Sequence, residues 1–320
     1  MKKITLEIDE VRFIIVDKLL KNTSINSKQA KMIAQQLIYA EASGKYTHGL
    51  IRVCWFINKN IQNHIPAKLT KHGLYDFFDC SSSIGYLAAE EICDYVSNQN
   101  QSISIALAAN IFPTGVLNYY IKKYCRDDLF FIFGTTPKLV TYDTLANKIT
   151  GSNPIAFGCS FEKEYVVMDI TTSKTSFGEL LLATKGATEF VSSNYLDDKG
   201  KTPNHFSDLF ENSTGDFTGS IFQPLIEKID YKLYSINIII ELLTMLFLGQ
   251  RGDKGDTVFI KISKDLFGGV QKVNDLILDL KNSMNLDELP GQHSHNLYLD
   301  NVQKKLINVD YKIWNEIVNL

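Results

Sequence analysis

The sequence lacks the cysteine spacings of a disulfide-stabilised or zinc-binding protein. Its 320 residues include five cysteines, an odd number, and no two of them are closer than thirteen positions. Structural zinc sites instead pair cysteines about two to four residues apart. We therefore predict small core thiols in a reducing compartment and no metal site. The cysteines are Cys54, Cys80, Cys93, Cys125 and Cys159.

An excess of one charge and a long hydrophobic run are missing as well. The formal net charge of −3 gives no electrostatic reason to bind nucleic acid or an anionic membrane. The longest apolar run, residues 236–249, contains Glu241 and is shorter than the roughly 20 residues of a membrane span. Residues 1–9 mix charged with apolar residues and have no signal-peptide core. These features predict a cytoplasmic protein with no nucleic-acid or membrane partner.

Two common phosphate-binding patterns are also absent. No Gly-x-Gly-x-x-Gly follows a predicted strand, and there is no Walker-type loop. The usual Rossmann dinucleotide fingerprint is therefore excluded. His293 and His295 flank Ser294 in a polar turn, without the clustered ligands of a metal site, and this indicates surface histidines.

Residues 47–52 carry the most suggestive local pattern. Thr47 is predicted to be the N-cap of a helix, which puts His48 and Arg52 four residues apart on one face. The free N–H groups of a helix start favour negative charge, and a guanidinium grips a carboxylate at two points. This stretch is therefore a candidate seat for a small carboxylate substrate. The alternative is a solvated first turn with a chance His/Arg pair.

Hydrophobic periodicity predicts alternating helices and strands, and hence an α/β fold with a mixed sheet. A short strand and a helix are expected within residues 6–20, and residues 194–216 read as a polar surface excursion. Asp169, at the end of a strand, is interpreted as a cap or turn acceptor. The apolar helix 234–248 is expected to be central or at a subunit contact. Helices are predicted at 28–42 (capped by Ser27), 84–97, 116–124, 234–248, 273–283 and from 311, and strands at 102–109, 129–134, 165–170 and 258–262.

Five short motifs occur in one order along most of the chain. They are Thr47-His48-Gly49 with Arg52, Gly151-Ser152-Asn153-Pro154-Ile155-Ala156, Asp169-Ile170-Thr171-Thr172-Ser173, Tyr231-Lys232-Leu233-Tyr234 and Leu289-Pro290-Gly291-Gln292. Together they resemble the signatures of the malate/L-lactate dehydrogenase family. This family consists of nicotinamide-dependent oxidoreductases that do not use the Rossmann fold.

The resemblance implies an architecture and a set of partners. A mixed-sheet, non-Rossmann dinucleotide-binding domain would span residues 116–285. A largely helical substrate-side domain would combine residues 1–115 with 286–320. The resemblance further implies NAD or NADP as cofactor, no metal, a small carboxylate substrate and a homodimer.

The same resemblance assigns site residues by position. His48 and Arg52 would contact the substrate or the nicotinamide, with Thr47 beside them on the substrate side. The cofactor side is a separate set: Asn153 and Pro154 would shape the pocket, and Thr172, Ser173 and Lys232 would lie along the cofactor.

Several positions depart from the family pattern. The family's proton-transferring histidine lies in an Asn-x-x-His-Phe-Gly turn; one alignment puts Asn110 in its place, and another, with one residue deleted, puts Ile111 there. The tyrosine that follows the family's arginine by four residues is Phe56. Two glycines of the Tyr-Lys-Gly-Tyr-Gly motif are replaced by Leu233 and Ser235, whose side chains would crowd a cofactor.

Two functional hypotheses follow. The first is an oxidoreductase that transfers a hydride between a nicotinamide cofactor and a small 2-keto or cyclic 2-imino carboxylic acid. Arg52 would then bind the carboxylate, Asn110 would orient the acceptor by a hydrogen bond, and His48 would serve as the acid for a ketone. The alternative is a catalytically degenerate family member that acts as a binding or assembly protein.

Overall fold

The computed structural model describes most of the chain, which folds into ten helices and twelve strands within the described residues. The described residues are 2–58, 64–145, 147–162, 164–211, 216–223, 228–249, 252, 254–285 and 287–320, without the side chains of 228–230. The helices are α1 (Ile8–Asn22), α2 (Ser27–Ala42), α3 (Ile51–Asn58), α4 (Gly85–Ser97), α5 (Leu117–Tyr124), α6 (Phe177–Thr184), α7 (Lys228–Leu248), α8 (Gly269–Ser283), α9 (Gln292–Lys304) and α10 (Tyr311–Val318). The strands are β1 (Lys3–Glu7), β2 (Lys68–Lys71), β3 (Asp76–Asp79), β4 (Ile103–Ala109), β5 (Asp128–Gly134), β6 (Val140–Thr141), β7 (Ile155–Phe161), β8 (Glu164–Ile170), β9 (Tyr195–Leu196), β10 (Ser220–Phe222), β11 (Thr257–Ser263) and β12 (Leu306–Asp310).

A seven-stranded mixed sheet forms the centre of the molecule. Its strand order is β2-β3-β4-β11-β5-β7-β8, with β3 and β4 parallel and the other neighbours antiparallel. Helices α4 and α5 pack on one face around Tyr120 and Phe130. Helix α7 covers the other face, where Ile240 meets Phe133. The prediction of an α/β fold with a mixed sheet is confirmed.

A helical layer with its own core lies beside this sheet. Helices α1, α2, α3 and α10 bury residues such as Ile15, Leu37 and Phe56, together with an antiparallel pair formed by β1 and β12. Helix α2 begins one residue earlier than predicted. Its N-cap is Asn26, whose side chain and that of Gln29 exchange hydrogen bonds with each other's backbone N–H.

Most of the predicted helices and strands are present, but the sequence analysis did not predict β2, β3, β7, α6 or α9. The strand and helix expected within residues 6–20 are β1 and α1. Residues 194–216 are not wholly a surface excursion, because Tyr195, Leu196 and Leu209 are buried; residues 212–215 lie outside the described residues. The domain boundary at residue 115 remains a prediction, and β4, before it, pairs with β11, after it.

Helix α7 lies on the sheet rather than in the centre of the molecule. Its segment Tyr231–Leu248 has a mean hydropathy of 1.5 and is 22% buried, so length and composition alone would allow a membrane span. Its inner face, however, carries Asn237 and Glu241, which are hydrogen-bonded to the loop before β7. Its outer face exposes Ile239, Leu242 and Leu246. The predicted subunit contact remains a prediction.

A buried hydrogen-bond network fixes α7 to the loop that precedes β7. Asn153 is fully buried with φ 38°, and its amide donates to Glu241 Oε2 at 2.8 Å. Asn237 is also fully buried and donates to Gly151 O and Thr172 Oγ1, each at 3.0 Å. Thr172 in turn donates to Asn153 O at 2.8 Å. Two of the motifs noted above are thus held together by α7.

This network predicts a measurable loss on truncation. Asn237→Ala leaves the Gly151 carbonyl and the Thr172 hydroxyl without their buried partner, which should lower the free energy of unfolding by about 2–4 kcal/mol. Asn282→Ala, at an exposed position of α8, is the matched control and should change it by less than about 0.5 kcal/mol. Urea unfolding measures both. Equal effects of the two substitutions would contradict a structural role for Asn237.

Candidate functional site

A cavity of about 300 Å³ lies between the helical layer and one end of the seven-stranded sheet. One wall is formed by residues 45–52 and the start of α6. The opposite wall is formed by the end of β5, the start of β7 and the segment after β8. The lining residues include Lys45, Thr47, His48, Arg52, Tyr86, Phe112, Pro113, Thr114, Gly115, Val116, Thr135, Thr136, Ser152, Pro154, Asp169, Thr171 and Lys174.

Glu41 holds the wall that carries His48 and Arg52. Its carboxylate is 7% exposed and accepts the backbone N–H of Leu50 at 2.8 Å. Gly49 packs against it so closely that a Cβ there would lie 2.1 Å from Oε2. The prediction that Thr47 caps a helix is therefore wrong. Residues Tyr46–His48 form a short 3-10 turn, α3 begins at Ile51, and the acceptor near its start comes from α2.

Arg52 offers the cavity a guanidinium without an ionic partner. Its Nε donates to Thr47 O at 2.8 Å, which orients the group. Among the residues that the structure describes, no carboxylate forms an ion pair with it. Burial lowers its pKa, but a guanidinium keeps its proton in proteins. The half-buried charge can therefore take a carboxylate from outside the protein.

His48 lies beside Arg52 as a neutral imidazole. A hydrogen bond joins its Nδ1 to Thr47 Oγ1 at 2.9 Å. Burial lowers the pKa of His48 to about 3, and the positive charges of Arg52 and Lys45 add to the shift. His48 therefore holds no extra proton at neutral pH, and its role in the cavity is to form hydrogen bonds.

Asp169 is a hydrogen-bond acceptor, as the sequence predicted, and its donor is a backbone N–H of helix α5. Its Oδ2 accepts the N–H of Asn118, in the first turn of α5, at 2.9 Å. Burial raises its pKa, and the backbone hydrogen bond from Asn118 opposes that shift. Asp169 thus joins β8 to α5 at the rim of the cavity.

The predicted cofactor residues divide into one that lines the cavity and several that do not. Pro154 lines it. Asn153 and Thr172 are fully buried behind the wall in the network described above, and Ser173 donates to Thr175 O at 2.6 Å. Lys232 is exposed on α7 and is not in the lining. Their neighbours Ser152, Thr171 and Lys174 do line it; the small hydroxyl residues at the strand ends were the signal for them.

The prediction of two surface histidines in a polar turn is wrong in part, because both lie at the start of helix α9 and His295 is half-buried. The His293 side chain is 88% exposed, with Nδ1 3.9 Å from Glu288 Oε2, and His295 packs edge-on against Tyr165. Within the described part of the chain, no group of three His, Cys, Asp or Glu side chains is placed to hold a metal ion.

Comparisons with known proteins agree with this architecture. The family model for malate/L-lactate dehydrogenase matches residues 8–318. The chain belongs to this family. L-sulfolactate dehydrogenase of Methanocaldococcus jannaschii is 23% identical over 84% of the chain and 82% of its own length.

Solved structures match over nearly the whole chain. Malate dehydrogenase from Entamoeba histolytica superimposes with a TM-score of 0.80 at 18% identity, covering 99% of this chain and 97% of its own. Δ1-piperideine-2-carboxylate reductase from Pseudomonas syringae gives 0.77 at 14% identity, covering 99% of both chains. At these identities the structural matches establish the fold.

The turn that carries a histidine in the family has a different sequence in this chain, and the structure shows where its residues lie. Asn110 has φ 61°, its N–H donates to Asp256 Oδ1 at 2.9 Å, and its amide donates to Ser81 Oγ at 3.3 Å. It is not in the cavity lining. The alignment that put Asn110 in the place of the histidine is wrong: counted back from Gly115, the family's Asn-x-x-His-Phe-Gly turn matches Asn110 to the asparagine and Pro113 to the histidine. Pro113 does line the cavity, and it carries no proton.

The Glu41 contact predicts a pH-dependent stability difference. Burial raises the pKa of Glu41 from 4.5 to about 7, so the unfolded chain loses this proton first as the pH rises. Wild-type stability therefore falls between about pH 4.5 and 7 relative to Glu41→Gln, whose amide oxygen still accepts the Leu50 N–H. The advantage of Glu41→Gln should grow across that window by on the order of 2 kcal/mol in urea unfolding. A pH-independent difference, as expected for the exposed control Glu10→Gln, would contradict this account.

Proposed function

We propose that this protein transfers a hydride between a nicotinamide cofactor and a small 2-keto or cyclic 2-imino carboxylic acid. The observation that carries the proposal is the unpaired Arg52 guanidinium in a cavity shared with His48. A carboxylate in that cavity would receive two parallel hydrogen bonds from Arg52. The same carboxylate would offset the positive charges that now surround His48.

The rest of the lining supports a substrate of this class. Phe112, Pro113 and Val116 give the cavity an apolar side, which suits the carbon chain or ring of a small acid. Neutral His48 could donate its Nε2–H to a carbonyl or carboxylate oxygen of such a ligand. Thr47 orients that imidazole through its hydroxyl.

The opposite wall fits a nicotinamide cofactor by its donor set. Thr135, Thr136, Ser152 and Thr171 supply hydroxyl and backbone groups suited to ribose and carboxamide, and Lys174 adds a positive charge suited to phosphate. Asn153 and Thr172 would hold this wall in place from behind. When bound, the cofactor supplies the hydride. Either NAD or NADP is compatible with this donor set.

The names of the relatives support the same substrate class. Sulfolactate and malate are 2-hydroxy acids, and piperideine-2-carboxylate is a cyclic 2-imino acid. All three carry a carboxylate next to the carbon that is oxidised or reduced. Each of these substrates therefore needs a cationic group, such as an arginine without an ionic partner, to bind its carboxylate.

A second candidate, a binding or assembly protein without catalysis, has specific support. Pro113 and Phe56 replace two functional side chains of the family, and Leu233 and Ser235 replace two glycines. A homodimer in the cytoplasm is proposed under either function. The exposed apolar face of α7 supports self-association.

Cofactor binding and turnover test the proposal directly. NADH or NADPH fluorescence should respond on titration with the protein, and a panel of 2-keto acids should then be reduced with loss of absorbance at 340 nm. If neither cofactor binds at millimolar concentration, the oxidoreductase proposal is rejected and the second candidate remains. Cofactor binding without turnover of keto or imino acids would reject the oxidoreductase proposal as well.

Arg52→Ala distinguishes the proposed carboxylate anchor from other modes of binding. It should raise KM for the carboxylate substrate by about 10²-fold, because a charge-assisted pair in a half-buried site is lost. Arg12→Ala, which removes an exposed guanidinium next to Asp9, is the control and should leave KM unchanged. Equal KM values for both variants would show that another group binds the carboxylate.

A further inference from the structure

The cavity contains few groups that can give a proton to a substrate. His48 is neutral, and Arg52 does not release its proton. Asp169 accepts a hydrogen bond at the start of α5, and Glu179 accepts one from the Ser176 N–H at the start of α6. Lys174 is exposed to solvent, and Lys45, which also lines the cavity, is partly exposed. Tyr86 differs from all of these, because it is 2% exposed and yet lines the cavity.

Tyr86 is held rigidly by its backbone while its hydroxyl remains available. It lies in the first turn of α4, and its carbonyl oxygen accepts from Gln36 Nε2 and from Tyr120 Oη, both at 3.1 Å. No backbone or side-chain group in the described residues pairs with the Tyr86 hydroxyl. A fixed ring with an unpaired donor is the arrangement expected of a group that contacts a ligand.

The phenol end of Tyr86 lies beside the turn that contains Pro113. A Cβ built on Gly115 would lie 2.6 Å from Tyr86 Cε1 and 2.9 Å from Cζ, the carbon that carries the hydroxyl. Gly115 is therefore required at this close approach. The Tyr86 ring also packs edge-to-face on Phe56, with ring centroids 4.9 Å apart. The Tyr86 ring thus packs against Gly115, two residues after Pro113, and against Phe56.

We propose that the Tyr86 hydroxyl is the proton donor of this site, giving its proton to the substrate carbonyl oxygen during ketone reduction. This inference rests on the proposed oxidoreductase function. It assigns the acid role to a side chain from α4, which none of the five family motifs contains.

The proposed step is balanced in atoms and electrons. As the carbonyl carbon gains the hydride, the electron pair of the C=O π bond moves to oxygen. That oxygen takes the proton from Tyr86 Oη, which becomes a phenolate. The phenolate regains a proton from solvent, so one hydride and one proton convert the ketone into the alcohol.

The charge environment of Tyr86 suits this step. Burial raises its pKa to about 12, and the positive charge of Arg52 opposes the shift. Tyr86 therefore keeps its proton at neutral pH, ready to donate it. An alkoxide is more basic than a phenolate, so the transfer is downhill, and Arg52 stabilises the phenolate that is left.

Comparison of a ketone with an iminium substrate tests the role. A cyclic 2-imino acid protonated on nitrogen needs no proton when the hydride arrives. Tyr86→Phe should therefore lower kcat for 2-keto acids by about 10²–10⁴-fold and leave kcat for protonated 1-piperideine-2-carboxylate within about threefold. Tyr95→Phe, the same change on the same helix outside the cavity lining, should alter neither. An equal loss for both substrates, or no loss for the ketone, would overturn the acid role.

Ligand binding gives a readout that does not depend on turnover. Oxamate carries a carboxylate and an amide carbonyl, and Tyr86→Phe should weaken its binding about five- to tenfold in calorimetry, through loss of one hydrogen bond. NADH affinity should stay within twofold. Wild-type oxamate affinity in Tyr86→Phe would overturn the proposed contact while leaving the oxidoreductase function standing. If the wild-type protein binds no cofactor, or reduces only imines, the acid role of Tyr86 is rejected together with the ketone reduction on which it rests.

Discussion

The hydrogen bond from the Leu50 N–H to the buried Glu41 carboxylate fixes the wall of the cavity that carries His48 and Arg52. It ties the end of α2 to the start of α3 and fixes the turn between them. Placing a carboxylate there is unfavourable when it is charged, as its raised pKa shows. The contact directs His48 and Arg52 into the cavity, and Gly49 provides the space that it needs.

A separate hydrogen-bond network holds the opposite wall of the cavity. Asn153, Asn237, Glu241 and Thr172 form a buried network that fixes the loop before β7 to helix α7. Buried polar groups of this kind strongly favour one arrangement, because any alternative leaves donors or acceptors unpaired. The cavity therefore lies between two walls that are each fixed from behind, and neither wall needs a ligand to define it.

Local patterns in the sequence were sufficient for the α/β class with a mixed sheet, four of the seven central strands, most helices and the family. They failed where long-range contacts decide. Thr47 has the chemistry of an N-cap, but Glu41, nine residues upstream, supplies the acceptor that fixes the start of α3. Asn153 and Thr172 lie in motifs that the family resemblance assigns to the cofactor side, yet their side chains form hydrogen bonds within the buried network and not in the cavity. Tyr86 could not be found from the sequence, because only the fold brings the first turn of α4 beside Gly115.

We propose a family member in which Arg52 binds the substrate carboxylate and Tyr86, on α4, donates the proton. A crystal structure of the complex with NADH and oxamate tests this view most directly. The account predicts the oxamate carboxylate on the Arg52 guanidinium and its amide oxygen within hydrogen-bond distance of Tyr86 Oη. Oxamate bound away from Arg52, or with its carbonyl turned from Tyr86, would contradict it.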